Sequence, residues 1–262
     1  MDTLSCSLSA QGVARVEMAR PQVFNAFDEA MIGELDAVFA RLGADPAVRV
    51  IVLSGQGKAF SAGADLQWMK RASEASQEAN LADARRFAAM LDRIAACPRP
   101  TVAQVQGLAL GGGVGLVCAC DIAVASTDAR FAVSEAKFGI LPAVIGPYLV
   151  NAVGRRQARR LALTAHRIDA IEARDIGLVQ RVVNPEALAA AVEEVVAELR
   201  GNGPVALAEI KQLYAQLEVG PVTAEIRELG AQTIARVRMG EEAREGFAAF
   251  LEKRPARWMD GS

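Results

Sequence analysis

Short apolar runs and helix-spaced apolar positions alternate along the first two-thirds of the chain. Val13–Met18 has the pattern of a strand. Met31, Leu35, Val38, Phe39 and Leu42 then recur at helical spacing, with Asp28 placed to cap the helix they predict. Val50-Ile51-Val52-Leu53 is continuously apolar and stops at Ser54-Gly55, as expected of a strand buried on both faces. A polar helix is predicted from about Gln77 to Ala96, ending before Pro98 and Pro100. Thr101–Val105 predicts a strand, Gly112–Cys120 a short apolar helix and Ile122–Ser126 another strand. This succession implies right-handed crossovers and parallel pairing. From about Ile145 onward the pattern is mainly helical. One helix is marked by Leu188, Val192, Val195, Val196 and Leu199, and another covers Ala224–Arg238 with Thr223 as its cap. The expected division is an α/β core over 1–195 and a helical region over 196–262. That tail has many apolar positions and little sheet beside it, which points to burial against other subunits.

Composition narrows the chemistry. The 262 residues can bury a large core without disulfides or metals. Apolar residues make up 52% and aromatics 5%, so the core is expected to be aliphatic. A formal net charge of −2 argues against nucleic acid or an anionic membrane as the main partner. The N-terminus lacks the pattern of a signal peptide, and no apolar stretch reaches transmembrane length, so a cytoplasmic protein is expected. Cys6, Cys97, Cys118 and Cys120 read as free thiols, because a chain with one histidine, His166, and no second close cysteine pair offers no zinc set. No metal or nicotinamide requirement is expected.

Two loops could carry chemistry. Gly107-Leu108-Ala109-Leu110-Gly111-Gly112-Gly113 joins a strand to a helix, and glycines at a helix start leave backbone N–H groups open to negative charge. The loop lacks the Lys-Ser/Thr ending of a P-loop and the spacing of a dinucleotide fingerprint. Tight strand–helix packing would demand the same glycines. Phe60-Ser61-Ala62-Gly63-Ala64-Asp65 also follows a buried strand and leads into a helix, with Asp65 as its N-cap. Two such loops after parallel strands lie on one sheet edge, where α/β proteins place ligands, and the pairing suggests an oxyanion hole.

The ordered set Arg20-Pro21-x-x-x-Asn25-Ala26, Phe60-Ser-Ala-Gly-Ala-Asp65, Gly107-x-Ala-x-Gly-Gly-Gly113, Cys120-Asp121 and Phe131-x-x-x-Glu135 resembles the crotonase, or enoyl-CoA hydratase/isomerase, family. The resemblance continues through Ala173-x-x-x-Gly177-Leu-Val179 to Phe250-Leu-Glu-Lys253-Arg254-Pro255. It implies a spiral of ββα turns with a C-terminal helical trimerisation region, assembled as a homotrimer or hexamer. It also implies an acyl-CoA thioester as substrate, so that CoA enters with the substrate and no separate cofactor is needed. The N–H groups of Ala64 and Gly112 would hold the thioester oxygen. Ala62, Asp65 and Leu66, with Asn25 and Ala26, would belong to the CoA channel, and Lys253 would reach a CoA phosphate, on its own or a neighbouring subunit.

Hydratases of this family commonly carry two glutamates. The second matches Glu135, and the first falls on Gly115, which cannot transfer a proton. One glutamate is what isomerases of the family use. Yet Gly115, Asn25-Ala26-Phe27-Asp28 and Leu141-Pro142-Ala143-Val144-Ile145-Gly146-Pro147-Tyr148 together look like bacterial hydratases of methylglutaconyl-CoA and related isoprenoid glutaconyl-CoA substrates. Gly115 would then make room for the second carboxylate of the acyl chain or for a water. Hydration of a 2-enoyl-CoA is the leading expectation and isomerisation of a 3-enoyl-CoA the alternative. A role in RNA binding through Arg155, Arg156, Arg159, Arg160 and Arg167 is a third, weaker one, since such arginines more often form a solvated face.

Overall fold

The computed structural model describes residues 2–259. Its strands are β1 (Leu4–Leu8), β2 (Val13–Met18), β3 (Val50–Gly55), β4 (Thr101–Val105), β5 (Leu108–Leu110), β6 (Ile122–Ser126), β7 (Arg130–Ala132), β8 (Ile168–Asp169) and β9 (Arg181–Val183). Its α-helices are α1 (Glu29–Ala44), α2 (Leu66–Glu74), α3 (Gln77–Ala95), α4 (Gly112–Ala119), α5 (Gly146–Thr164), α6 (Ala170–Asp175), α7 (Leu188–Arg200), α8 (Pro204–Tyr214), α9 (Ala224–Arg238) and α10 (Glu241–Glu252). The large sheet has the order β1-β2-β3-β4-β6-β9 and is parallel except for the β1–β2 hairpin. The small sheet has the order β5-β7-β8. Each of the pairs β4–β5 and β6–β7 sends its first strand into the large sheet and its second into the small one. Helices α4 and α5 follow, which produces the expected ββα turns.

Side chains alternate across a strand, so a continuous apolar run supplies two cores at once. Ile51, Leu53, Ala103, Val105, Ala123 and Ala125 face the main core with α1, α3 and α4. Val50, Val52, Val102 and Val124 face the other way, against Leu188, Val192 and Val196 of α7. Residue 195, the expected end of the core, therefore lies inside a helix that packs on the sheet, and the separate helical region begins with α8. Asp28, Asp65 and Thr223 cap α1, α2 and α9 through their side-chain oxygens, as the sequence indicates. In the tail, α8 and α9 bury none of their residues within the chain. Lys211 ties α8 to the core by donating to Asp121 at 2.6 Å. Asp121 in turn accepts from the N–H and the hydroxyl of Thr101 at the start of β4. No described helix is long and apolar enough to cross a membrane.

Asn25 differs from expectation. It is fully buried and takes a left-handed backbone conformation (φ 54°). Its amide nitrogen donates to the carbonyls of Gln56 and Ala59 at 2.9 and 2.8 Å, and its oxygen accepts from the N–H of Arg20 at 3.0 Å. Its own carbonyl accepts from the Ser61 hydroxyl at 2.9 Å. Asn25 thus fastens the 20–27 segment to the loop after β3 instead of lining a ligand channel. Asn25→Ala leaves buried polar groups unpaired, each costing about 1–3 kcal/mol, and should lower the unfolding free energy by at least about 2 kcal/mol in chemical denaturation.

Candidate active site

The loop after β3 runs between two neighbours. Ser61 donates to Leu108 at 2.9 Å and accepts from Leu110 at 3.0 Å, which ties it to β5. Two residues on, Phe27 donates to the Gly63 carbonyl at 2.9 Å and accepts from Asp65 N–H at 2.9 Å. Successive peptide groups of an extended chain point in opposite directions. The N–H of Ala64, between those two bonds, therefore turns away from Phe27. Gly63 has φ +85°, and a Cβ there would lie 2.5 Å from the Leu110 carbonyl and 3.3 Å from the nitrogen of Gly112. Only glycine permits that approach of the two loops.

Gly112 opens α4, so its N–H has no acceptor inside the helix. A Cβ on Gly112 would run into the Phe27 ring, which keeps the position to glycine. Among the described residues neither Ala64 N–H nor Gly112 N–H donates to another group. Two adjacent free donors, one at a helix N-terminus, can receive an oxygen on which negative charge develops.

Glu135 begins a single 3₁₀ turn, Glu135–Phe138, after β7. The pairing of Leu110 with Ala132, continued by Gly111 N–H donating to the Ala132 carbonyl at 2.8 Å, brings that turn beside the start of α4. Gly111 has φ +49°, and a Cβ on it would lie 3.2 Å from Glu135 Oε1. Glu135 Oε2 is buried without a hydrogen-bond partner. Burial pushes the Glu135 carboxyl above the ordinary range, partly offset by the backbone N–H groups of Glu135 and Ser134.

Two cavities meet here. The larger, about 500 Å³, is lined by Ala26, Ala62, Asp65 and Leu66 among others. The smaller, about 230 Å³, lies against Phe27, Trp68, Phe87 and the 141–145 segment. Ala64, Gly112 and Glu135 line both, so the free donors and the carboxylate sit at the junction. Asp65 is largely occupied: its Oδ1 accepts from Gln67 N–H at 2.8 Å and its Oδ2 meets Arg20 at 3.2 Å. Arg20 also pairs with Asp28 at 3.0 Å and donates to the Ala26 carbonyl at 2.7 Å, so one guanidinium braces the caps of α1 and α2. The sequence motif contains Arg20, but its role required the contacts. Lys253, the C-cap of α10, is exposed and lines neither cavity of its own chain.

Gly115 corrects a sequence expectation. It is buried, and the position of its missing side chain is filled by Ile145, which a Cβ on Gly115 would strike. Position 115 is therefore enclosed by aliphatic packing and leaves no space for a carboxylate or a water. Ile145 itself lines the smaller cavity; the sequence marked its segment, Leu141–Tyr148, but not its contact with Gly115. Among the described residues no cluster of His, Cys, Asp or Glu could hold a metal ion. Cys6, Cys97, Cys118 and Cys120 are free, and burial pushes the Cys118 thiol up to about 12 and raises Cys97 and Cys120 as well.

The sequence matches the enoyl-CoA hydratase/isomerase family over residues 9–261. An enoyl-CoA hydratase of Shewanella pealeana has the same fold, with a TM-score of 0.94 and 41% identity over 98% of this chain and 96% of that one. A short-chain-enoyl-CoA hydratase of Clostridium acetobutylicum is 34% identical, over 92% of each chain. A mevalonyl-coenzyme A hydratase of Beauveria bassiana is 35% identical over 94% of this chain and 90% of its own. The ββα architecture, the ordered motifs and a match over nearly the whole length agree: the chain belongs to the enoyl-CoA hydratase/isomerase family and has its crotonase-like fold.

Proposed function

We propose that the protein hydrates a 2-enoyl-CoA, with Glu135 as its one acid/base. The observation that carries the reading is the junction itself: a buried, unpartnered carboxylate oxygen beside two free backbone donors. The thioester oxygen would accept from Ala64 and Gly112, which favours the enolate over the ground-state carbonyl. Glu135 takes a proton from water as the water oxygen bonds to C3, and the negative charge moves to the thioester oxygen. The same carboxyl then gives that proton to C2, so the elements of water add to one face of the double bond. A carboxyl whose pKa is raised toward neutrality is suited to both halves of this transfer.

Glu135→Gln should lower turnover by about 10²–10⁴ with little change in substrate affinity. Glu135 must start as the carboxylate, so kcat/KM should fall as pH drops through a pKa above the usual glutamate value. Stability should move the other way. A folded-state pKa raised above the unfolded value means the native chain binds the proton more tightly, so stability falls as pH rises between the two values. At neutral pH Glu135→Gln removes that cost and should raise the melting temperature. A fully active Glu135→Gln enzyme would remove the assignment.

The aliphatic wall at Gly115 favours a second reading, in which Glu135 alone moves a proton from C2 to C4 of a 3-enoyl-CoA, because Ile145 and Leu91 rather than a polar side chain stand beside that position. Mass spectrometry separates the two: hydration adds one water, and isomerisation leaves the mass unchanged. Gly115→Glu alone should unfold the protein more easily by colliding with Ile145. Gly115→Glu with Ile145→Ala should recover stability and, for a hydratase, raise turnover of crotonyl-CoA. Recovery of stability with no gain in hydration would favour isomerisation.

A homotrimer or a hexamer of paired trimers is part of the same proposal. Phe247, Phe250 and Leu251 on α10 are 60%, 82% and 79% exposed, and no residue of α8 or α9 is fully buried in the single chain. Such an apolar surface calls for a partner. Sedimentation equilibrium at micromolar concentration should give three or six chain masses, and a one-chain mass would contradict it.

A further inference from the structure

We propose that Arg49 clamps a glycine hinge at the base of the C-terminal arm, α8–α10, and thereby sets the apolar face through which chains assemble. The assembly part rests on the trimer reading above, and the clamp itself does not. Arg49 stands immediately before β3 on the large sheet, and its own N–H donates to the Gly12 carbonyl at 2.7 Å. Gly201-Asn202-Gly203 joins α7, which packs on that sheet, to α8, no residue of which is fully buried. The Arg49 guanidinium donates to the carbonyls of Arg200 and Asn202, both at 3.0 Å, on either side of Gly201. It also donates to the Trp258 carbonyl at 2.8 Å, beyond the end of α10. One planar group thus grips the hinge and the far end of the arm together.

The arm closes on itself around the same point. Glu242 of α10 accepts from the N–H groups of Val205 and Ala206 at 2.9 and 2.8 Å, which caps α8. A Cβ on Gly203 would lie 2.3 Å from Glu242 Oε1, so a side chain there would displace the cap. Glu245 accepts from the Arg254 guanidinium at 2.7 Å and from Arg257 N–H at 3.0 Å, which folds the segment after α10 back. Trp258 Nε1 then donates to the Gly201 carbonyl at 3.2 Å. Packing under α8 is incomplete: a cavity of about 400 Å³ lies between Leu207 and Ile210 of that helix and Ala95, Pro100 and Leu199 of the core. Glycine leaves backbone torsions free, so a hinge held by side-chain donors turns when the donors are removed. Phe247, Phe250 and Leu251 ride on α10, and the direction of the arm decides where that face points.

Arg49→Met keeps the aliphatic stem and removes every donor, whereas Arg49→Lys keeps the charge without the planar fork. Hydrogen exchange of the full chain is compared in a Phe250→Glu background, which weakens partner contacts alike in every variant. With Arg49→Met, amides of α8 and of residues 201–203 should exchange at least about tenfold faster, as expected on losing hydrogen bonds from a charged donor. Those of β3 and β4 should keep their rates, and Arg49→Lys should fall between. If Arg49→Met does not fold, Arg49→Lys carries the same comparison. Without the Phe250 change, Arg49→Met should need at least about tenfold more protein than the wild type to sediment at three or six chain masses. Unchanged exchange in α8 would overturn the clamp. Equally faster exchange in β3 and β4 would overturn it too, by making Arg49 a contributor to overall stability. Faster exchange in α8 with unchanged assembly would overturn the link to the apolar face. A one-chain mass for the wild type would sink the trimer reading and that link, and the exchange comparison would still decide the clamp.

Discussion

The site depends on backbone approach that side chains would prevent. Gly63, Gly111 and Gly112 bring the loop after β3, the start of α4 and the Glu135 turn within contact of one another, and a Cβ at any of them meets a carbonyl, a carboxylate or an aromatic ring. The two free N–H groups exist because of that crowding. Ala64 is held extended between bonds made by its neighbours, and Gly112 stands where a helix has no acceptor to offer. Donors fixed in this way need no reorganisation when charge develops, which is the property electrostatic catalysis requires.

Polar contacts behind the loops preserve the arrangement. Asn25 sews the 20–27 segment to the carbonyls after β3, and Arg20 joins the caps of α1 and α2. Neither touches the junction of the cavities, yet both hold Phe27, against which Gly112 packs. Residues that look like binding positions in a motif can therefore serve the substrate indirectly, by fixing the backbone that meets it. The same distinction separates Glu135, which lines both cavities with a buried oxygen left unpartnered, from Asp65, whose oxygens are engaged in capping and an ion pair.

The packing of Ile145 against Gly115 makes that side of the site aliphatic. A lone carboxylate in partly apolar surroundings has no like-charged neighbour in contact, so desolvation is the leading cause of its raised pKa. Packing Ile145 into the vacancy extends the apolar wall of the smaller cavity. One pair of residues thereby shapes the wall of the cavity that Glu135 also lines.

Much of this was legible in the chain because it rests on local physics. The run Val50-Ile51-Val52-Leu53, short, β-branched and stopped by Ser54-Gly55, fits a strand buried on both faces, and Asp28, Asp65 and Thr223 cap helices by contacts a few residues away. The glycine loops stood out by order and spacing, whereas Glu135 stood out only through the family resemblance. The short strands of the second sheet did not, because two or three residues carry too little periodicity. Nor could the chain reveal that Asn25 turns inward, that residue 195 lies within a packed helix, or that Ile145 fills the space beside Gly115. Those outcomes depend on side chains thirty or more residues apart meeting in a close-packed interior, and only the tertiary structure decides which of them meet.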